Sequence, residues 1–142
     1  MMSRILTFIF ILTFIGSHES NGQSESTCVP KLDSLTNTVT YNAPDQLAEP
    51  SDGMPALFRT ISKQLNISTK QTDITESKVL VAFVVTVEGK IIGMRTLKNI
   101  EGTDAANQVL EIISNSNWTP SLCVNKPVPS LITLPVIIHF DL

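Results

Sequence analysis

Over Leu131 to Leu142 the chain alternates between two sets of positions, and the even set is apolar throughout: Ile132, Leu134, Val136, Ile138, Phe140 and Leu142. A period of two is the mark of a strand with one face on a core, so Thr133, Ile137, His139 and Asp141 are expected on the other face. Pro135 has no N–H to give a ladder, which confines it to an edge strand, a strand start or a bulge. The strand therefore reads as an edge. Thr133, Pro135, Ile137 and His139 are then the candidate partner-binding edge, able to accept a strand from another chain. The plainer reading is an edge merely blunted against aggregation by Pro135, His139 and Asp141.

The rest of the chain supplies what this strand needs. Met54, Leu57, Phe58, Ile61 and Leu65 recur at helical spacing behind Ser51-Asp52-Gly53, with Asp52 placed to cap and Pro55 in the first turn. Lys78 to Val87 is apolar on both alternating sets, as a central strand covered on two sides would be, by helices on one face and by the N-terminal tail or self-association on the other. Glu88-Gly89 predicts a two-residue hairpin turn and Lys90 to Lys98 the returning strand, with Gly93 marking a bulge. Thr103-Asp104 opens a second helix with the stripe Ala106, Val109, Leu110 and Ile113. Trp118 follows, expected to pack beneath that helix, and then a loop through Cys123 and Lys126-Pro127. The fold class is α+β: two helices on a three-stranded antiparallel sheet, in the order helix, strand, strand, helix, strand, with spatial order 2-1-3.

Before this domain, at residues 52–142, the stretch 23–51 lacks a sustained period and reads as an extended tail, with one short strand near Val39 to Tyr41. Residues 1–22 have the build of a secretory signal peptide: Arg4, an apolar run from Ile5 to Ile15, then small and polar residues. Such a run makes about 16 Å of helix, roughly half a bilayer's hydrocarbon core. Ser20 and Gly22 suit cleavage before Gln23, which predicts a periplasmic or secreted protein; an uncleaved leader would instead anchor it at the inner membrane. Cys28 and Cys123 are an even count in an exported chain, so a disulfide is expected, and closing so long a loop restricts the unfolded chain by about 4 to 5 kcal/mol.

Charge and chemistry narrow the function further. A net charge of −3 offers no basic patch for nucleic acid. Only His18 and His139 are present, and no Ser, Cys or carboxylate group recurs with triad or metal-ligand spacing. The reading is therefore not an enzyme, with no cofactor, no metal and no small-molecule substrate. Asn66-Ile67-Ser68 and Asn117-Trp118-Thr119 match glycosylation acceptors, which matter only in a eukaryotic source.

From Gly53 to Leu142 the chain resembles the TonB C-terminal domain family. The resemblance is carried by Gly53-Met54 with Leu57, by Phe83 and Val85, by Gly89, by Trp118-Thr119-Pro120 and Lys126-Pro127-Val128, and by Leu134-Pro135 with Phe140 and Leu142. What it implies is a periplasmic module that holds the TonB box of an outer-membrane transporter beside its last strand, in TonB-dependent transport. Thr133, Pro135, Ile137 and His139 carry that role over to this chain, with the transporter segment or a paralogue as partner.

The chain departs from the family in three places. Its leader reads as cleavable where a membrane anchor is usual, the sequence shows no long proline-rich spacer, and Ile67-Ser68 stands where many relatives have Tyr-Pro. An unanchored domain can bind but cannot pull. The alternative is a structural or regulatory homodimer made by pairing the same edge with itself.

Overall fold

The computed structural model describes residues 28–68 and 76–139. In chain order its elements are β1 (Val29–Asp33), β2 (Thr38–Asn42), β3 (Glu49–Pro50), α1 (Met54–Gln64), β4 (Glu76–Val85), β5 (Ile91–Lys98), α2 (Ala105–Ser114), β6 (Trp118–Thr119), β7 (Ser121–Cys123), β8 (Lys126–Val128) and β9 (Ser130–His139). The class is α+β, with two helices and antiparallel sheets. The leader, the cut before Gln23, and Phe140, Asp141 and Leu142 lie outside the described residues.

β4 is the axis of the molecule. It is flanked by β5 and β9 in the order β5-β4-β9, antiparallel on both sides. Its odd-numbered side chains Val79, Val81, Phe83 and Val85 are fully buried, in one cluster with Leu57 and Ile61 of α1 and Ala106, Val109 and Ile113 of α2. Leu134 and Val136 of β9 join the same cluster from the neighbouring strand. At about 1.5–3 kcal/mol for each large aliphatic or aromatic side chain removed from water, this layer is the main favourable term in folding.

The opposite face of β4 is buried as well, Ala82 at 2% and Val84 at 0% exposure. The cover is the stretch expected to be an extended tail. The strand anticipated near Val39 to Tyr41 is present as β2, but it has a partner, β1, and the two form an antiparallel ribbon. Thr36 in the ribbon's turn lies against Gly93, and Asp33 meets Arg95, which is paired with Ala82. Cys28, just before β1, is bonded to Cys123 at the end of β7, a separation of 95 residues.

The described residues hold more strands than the three expected. β3 pairs with β6, and β7 turns back into β8 through Val124 and Asn125, both at positive φ. That pair of left-handed residues is the geometry of a two-residue hairpin turn, usually signalled by Asn-Gly. Val-Asn gave no such signal, so the segment read as a loop.

Two local expectations are corrected. The N-cap of α1 is Gly53, at φ 85°, and no side chain caps the helix; Asp52 lies one position too early. The β4–β5 connection closes as Thr86 N–H to the Lys90 carbonyl (2.9 Å), with Gly89 N–H on the Thr86 carbonyl (2.9 Å). That is a three-residue loop with glycine in the left-handed position, where a two-residue turn was expected. On β5 the register slips twice against β4, once around Gly93, which has φ 59°. Trp118 packs under α2: its indole N–H donates to the Ile113 carbonyl (3.2 Å), and its ring meets Phe83 edge-on at 5.1 Å.

Candidate outer-edge peptide site

β9 borders the central sheet, and its ladder with β4 runs unbroken from Val85–Ser130 to Glu76–His139. Which of its backbone groups point outward follows from the β4–β5 turn. Thr86 gives its N–H to Lys90 on the β5 side. Backbone groups alternate sides along a strand, so the odd residues of β4 face β9 and bond its even residues. The odd residues of β9 therefore point away from the sheet. Pro135, opposite Leu80, falls in this outward set, where its missing N–H costs the ladder nothing.

Thr133, Pro135, Ile137 and His139 are all exposed, Ile137 at 56%. The edge is partly covered at its start. β2 lies against β9, and Tyr41 N–H donates to the Pro129 carbonyl (2.8 Å). Beyond that point, Thr133 and Ile137 make no backbone bond outside the β4 ladder among the described residues. The usable part of the edge thus runs over Thr133 to Ile137.

Beside its second half opens an apolar groove of about 430 Å³, lined by Phe58, Ile61, Ser62 and Leu65 of α1, by Ile67, and by Val136 to His139 of β9. It lies within the size range of small-ligand sites, but it is an open trough along a strand. Phe58, expected in the core with its helical stripe, is 39% exposed and forms part of this trough. Its neighbours on the helix include Arg59 and Lys63, both exposed, and the helix carries no acidic residue.

The geometry favours one kind of occupant. A strand laid along β9 would send the side chains opposite Val136 and Ile138 toward α1 and into the trough, and the one between them to the other face, beside Ile137. Two apolar residues in alternate positions fit that demand. The signal for the trough was in the sequence only as two apolar residues at the margins of their patterns, Phe58 and Ile137.

Away from this edge, the described residues hold no group of three or more His, Cys, Asp or Glu placed to bind a metal, and no helix long and apolar enough to cross a membrane. No protein-family model matches the chain, and no curated protein matches it.

Proposed function

We propose that this chain is an exported protein-binding module that takes an extended peptide segment as an added strand along β9, in the manner of a TonB C-terminal domain. The observation that carries this reading is the continuity of two features: outward backbone groups at Thr133 and Ile137, and the apolar trough between Phe58 and Val136 alongside them. Main-chain pairing supplies affinity that is indifferent to sequence, and the trough supplies choice. The order β5-β4-β9, with the last strand on the border, is the arrangement such a module needs.

The fitting guest is a segment of an outer-membrane transporter or of a paralogue, apolar at alternate positions. An acidic residue beside that stretch would meet Arg59 and Lys63 of α1 or Lys78 of β4, the residue paired with Ile137. The role is binding. Transmitting force would require a tether held at both ends.

The test is calorimetric titration of alternating apolar peptides into the purified chain, with Ile137→Pro and Phe58→Asp as variants. Ile137→Pro removes a donor and bends the outward edge; Phe58→Asp puts a charge in the trough. Each is expected to weaken binding at least tenfold, about 1.4 kcal/mol. Equal affinity for parent and both variants would remove this site.

A further inference from the structure

We infer that the β1–β2 ribbon is a redox-released strap: the Cys28–Cys123 bridge holds it across the start of β9, and reduction of that bridge frees it from the sheet. The ribbon already touches the outer edge of β9. Tyr41 N–H donates to the carbonyl of Pro129 (2.8 Å), one residue ahead of that strand and in line with its outward odd-numbered residues. Part of the chain itself thus stands where an added strand would begin.

The ribbon is fastened at a few discrete points. Val29 pairs with Asn42 and Pro30 with Tyr41 at its open end, so the bridge at Cys28 and the Tyr41–Pro129 bond share that end. The Asp33–Arg95 pair lies at the other end, beside the turn. None of residues 28–42 belongs to the buried apolar cluster that α1, α2 and the odd side chains of β4 form. Four of the five residues of β1, Val29 to Leu32, are exposed, and the inward groups Asp33 and Thr40 are polar. A segment that adds nothing to the main cluster can open while the cluster stays packed.

The bridge decides whether it opens. Beyond β2 the chain is fixed again: Asp45 Oδ2 accepts the Val124 N–H (2.6 Å), and Gln46 and Leu122 exchange backbone hydrogen bonds (3.2 and 2.9 Å). Between β2 and this anchorage stand Ala43, at φ 48°, and Pro44. With the bridge closed, both strands of the ribbon are fastened to β7 and its hairpin, β1 through Cys123 and β2 through Asp45 and Gln46. With it open, only the β2 side is fastened. The ribbon can then turn about Ala43-Pro44, opposed by the Asp33–Arg95 pair and the Tyr41 bond.

The step is thiol–disulfide exchange with a dithiol reductant. Cys28 is partly exposed and Cys123 is buried, so the incoming thiolate attacks Cys28 Sγ, the S–S bond breaks, and Cys123 leaves as the thiolate with the electron pair. The second thiol of the reductant then displaces Cys28. The dithiol ends as a disulfide, and its two protons pass to the two cysteines. Release of the ribbon follows from these contacts alone; its effect on a guest, a longer edge reaching back to Pro129, rests on the reading of β9 as a peptide site.

Amide hydrogen exchange of the purified full chain, oxidised and after dithiothreitol, tests the strap, with Cys28→Ser/Cys123→Ser as a bridge-free variant. Mass analysis counts the free thiols, and near-ultraviolet circular dichroism of Trp118 reports the core. On reduction the amides of Tyr41 and of the rest of β1 and β2 are expected to exchange about tenfold faster or more, and those of β4 and α2 to change less than about twofold. The double variant should match the reduced parent; should it fail to fold, reduction of the already folded chain carries the test. Unchanged exchange at Tyr41 after full reduction, or equal acceleration in the ribbon, β4 and α2, overturns the inference. Titration of alternating apolar peptides into both redox forms separates the two readings: binding by neither form removes the outer-edge site, while the exchange data alone decide the strap.

Discussion

The guanidinium of Arg95 reaches Asp33 across 62 positions of the chain, with Nη2 at 2.6 Å from Oδ1 and Nη1 at 3.4 Å from Oδ2. This forked pair latches the ribbon onto the bulged strand β5. The Thr36 hydroxyl and N–H also donate to the same carboxylate, at 2.8 Å and 3.1 Å. The Asp33 side chain is 5% exposed and that of Arg95 24%, so the contact lies between a surface and a buried ion pair. The register slips of β5 aim Arg95 at the ribbon, while Gly93 leaves room for Thr36.

Breaking the latch from the cationic side should be the more damaging. Arg95→Met leaves a carboxylate out of water with only Thr36 to satisfy it, and is expected to cost about 1–3 kcal/mol. Asp33→Asn leaves a neutral amide that still accepts from Arg95, and should cost less. Urea denaturation with unchanged m-values would measure both. A smaller loss for Arg95→Met than for Asp33→Asn would contradict the latch.

The latch also makes stability depend on acid in a defined sense. Hydrogen bonds from Arg95, and then from Thr36, hold the Asp33 carboxyl below its ordinary value. The unfolded chain therefore takes up this proton first as pH falls past about 4. The contribution of Asp33 is complete above that pH and is lost as pH drops through the lower folded value. Urea midpoints of the parent and of Asp33→Asn, compared across pH, should converge below about pH 4. A gap that persists undiminished through that range would exclude the mechanism.

Two buried serines give a second asymmetry. Ser121, at 0% exposure, accepts the Ala48 N–H at 2.7 Å and shares a hydrogen bond of 2.7 Å with Ser130, at 1%. Ser130→Ala deletes one shared bond, for about 1 kcal/mol. Ser121→Ala orphans both the Ala48 amide and the Ser130 hydroxyl, and is expected to cost about 1–3 kcal/mol and to exceed the other change. Thermal unfolding of the two variants side by side decides the order.

Glycine positions separate strain from collision. Gly89 and Gly102 both have positive φ, 77° and 73°. A side chain at Gly102 would meet open space, whereas one at Gly89 would collide with the Trp118 carbonyl oxygen. Gly102→Ala should therefore cost about 1–2 kcal/mol for the left-handed backbone alone. Gly89→Ala should cost more, because the β4–β5 loop must also move off β6. Equal midpoints would show that the loop yields freely.

The sequence made the two-helix α+β architecture legible through periodicity that is strong where burial is strong. Val79, Val81, Phe83 and Val85 sit on one face of β4 with Ala82 and Val84 on the other, and both faces are covered. Cys28 and Cys123 could be paired because an even count leaves two thiols one partner each. The ribbon was only half visible, since β1 reads Val-Pro-Lys-Leu-Asp, without clean alternation and with a proline in it. Its tie to Arg95 depends on a charge pair that nothing local announces. Gly53 displaced Asp52 from the cap because the preceding chain already turns there, with Gly53 N–H on the Pro50 carbonyl at 2.8 Å. The trough beside β9 was hidden for another reason: a helical stripe tells which residues avoid water, and Phe58 stands at its border.

The long pairing of β4 with β9 has a consequence for how the molecule is assembled. The β4–β5 hairpin is local in sequence, while β9 must come back across that hairpin and all of α2 before its first ladder bond forms. Closing such a span costs entropy before any contact offsets it, so β9 should be the late arrival in folding. Pulse-labelled amides of β5 would then become protected before those of β9. Until that moment the edge of β4 lies bare, and Val79 to Val85, an uncharged run of β-branched and other apolar residues, is where an unfinished molecule would start to aggregate.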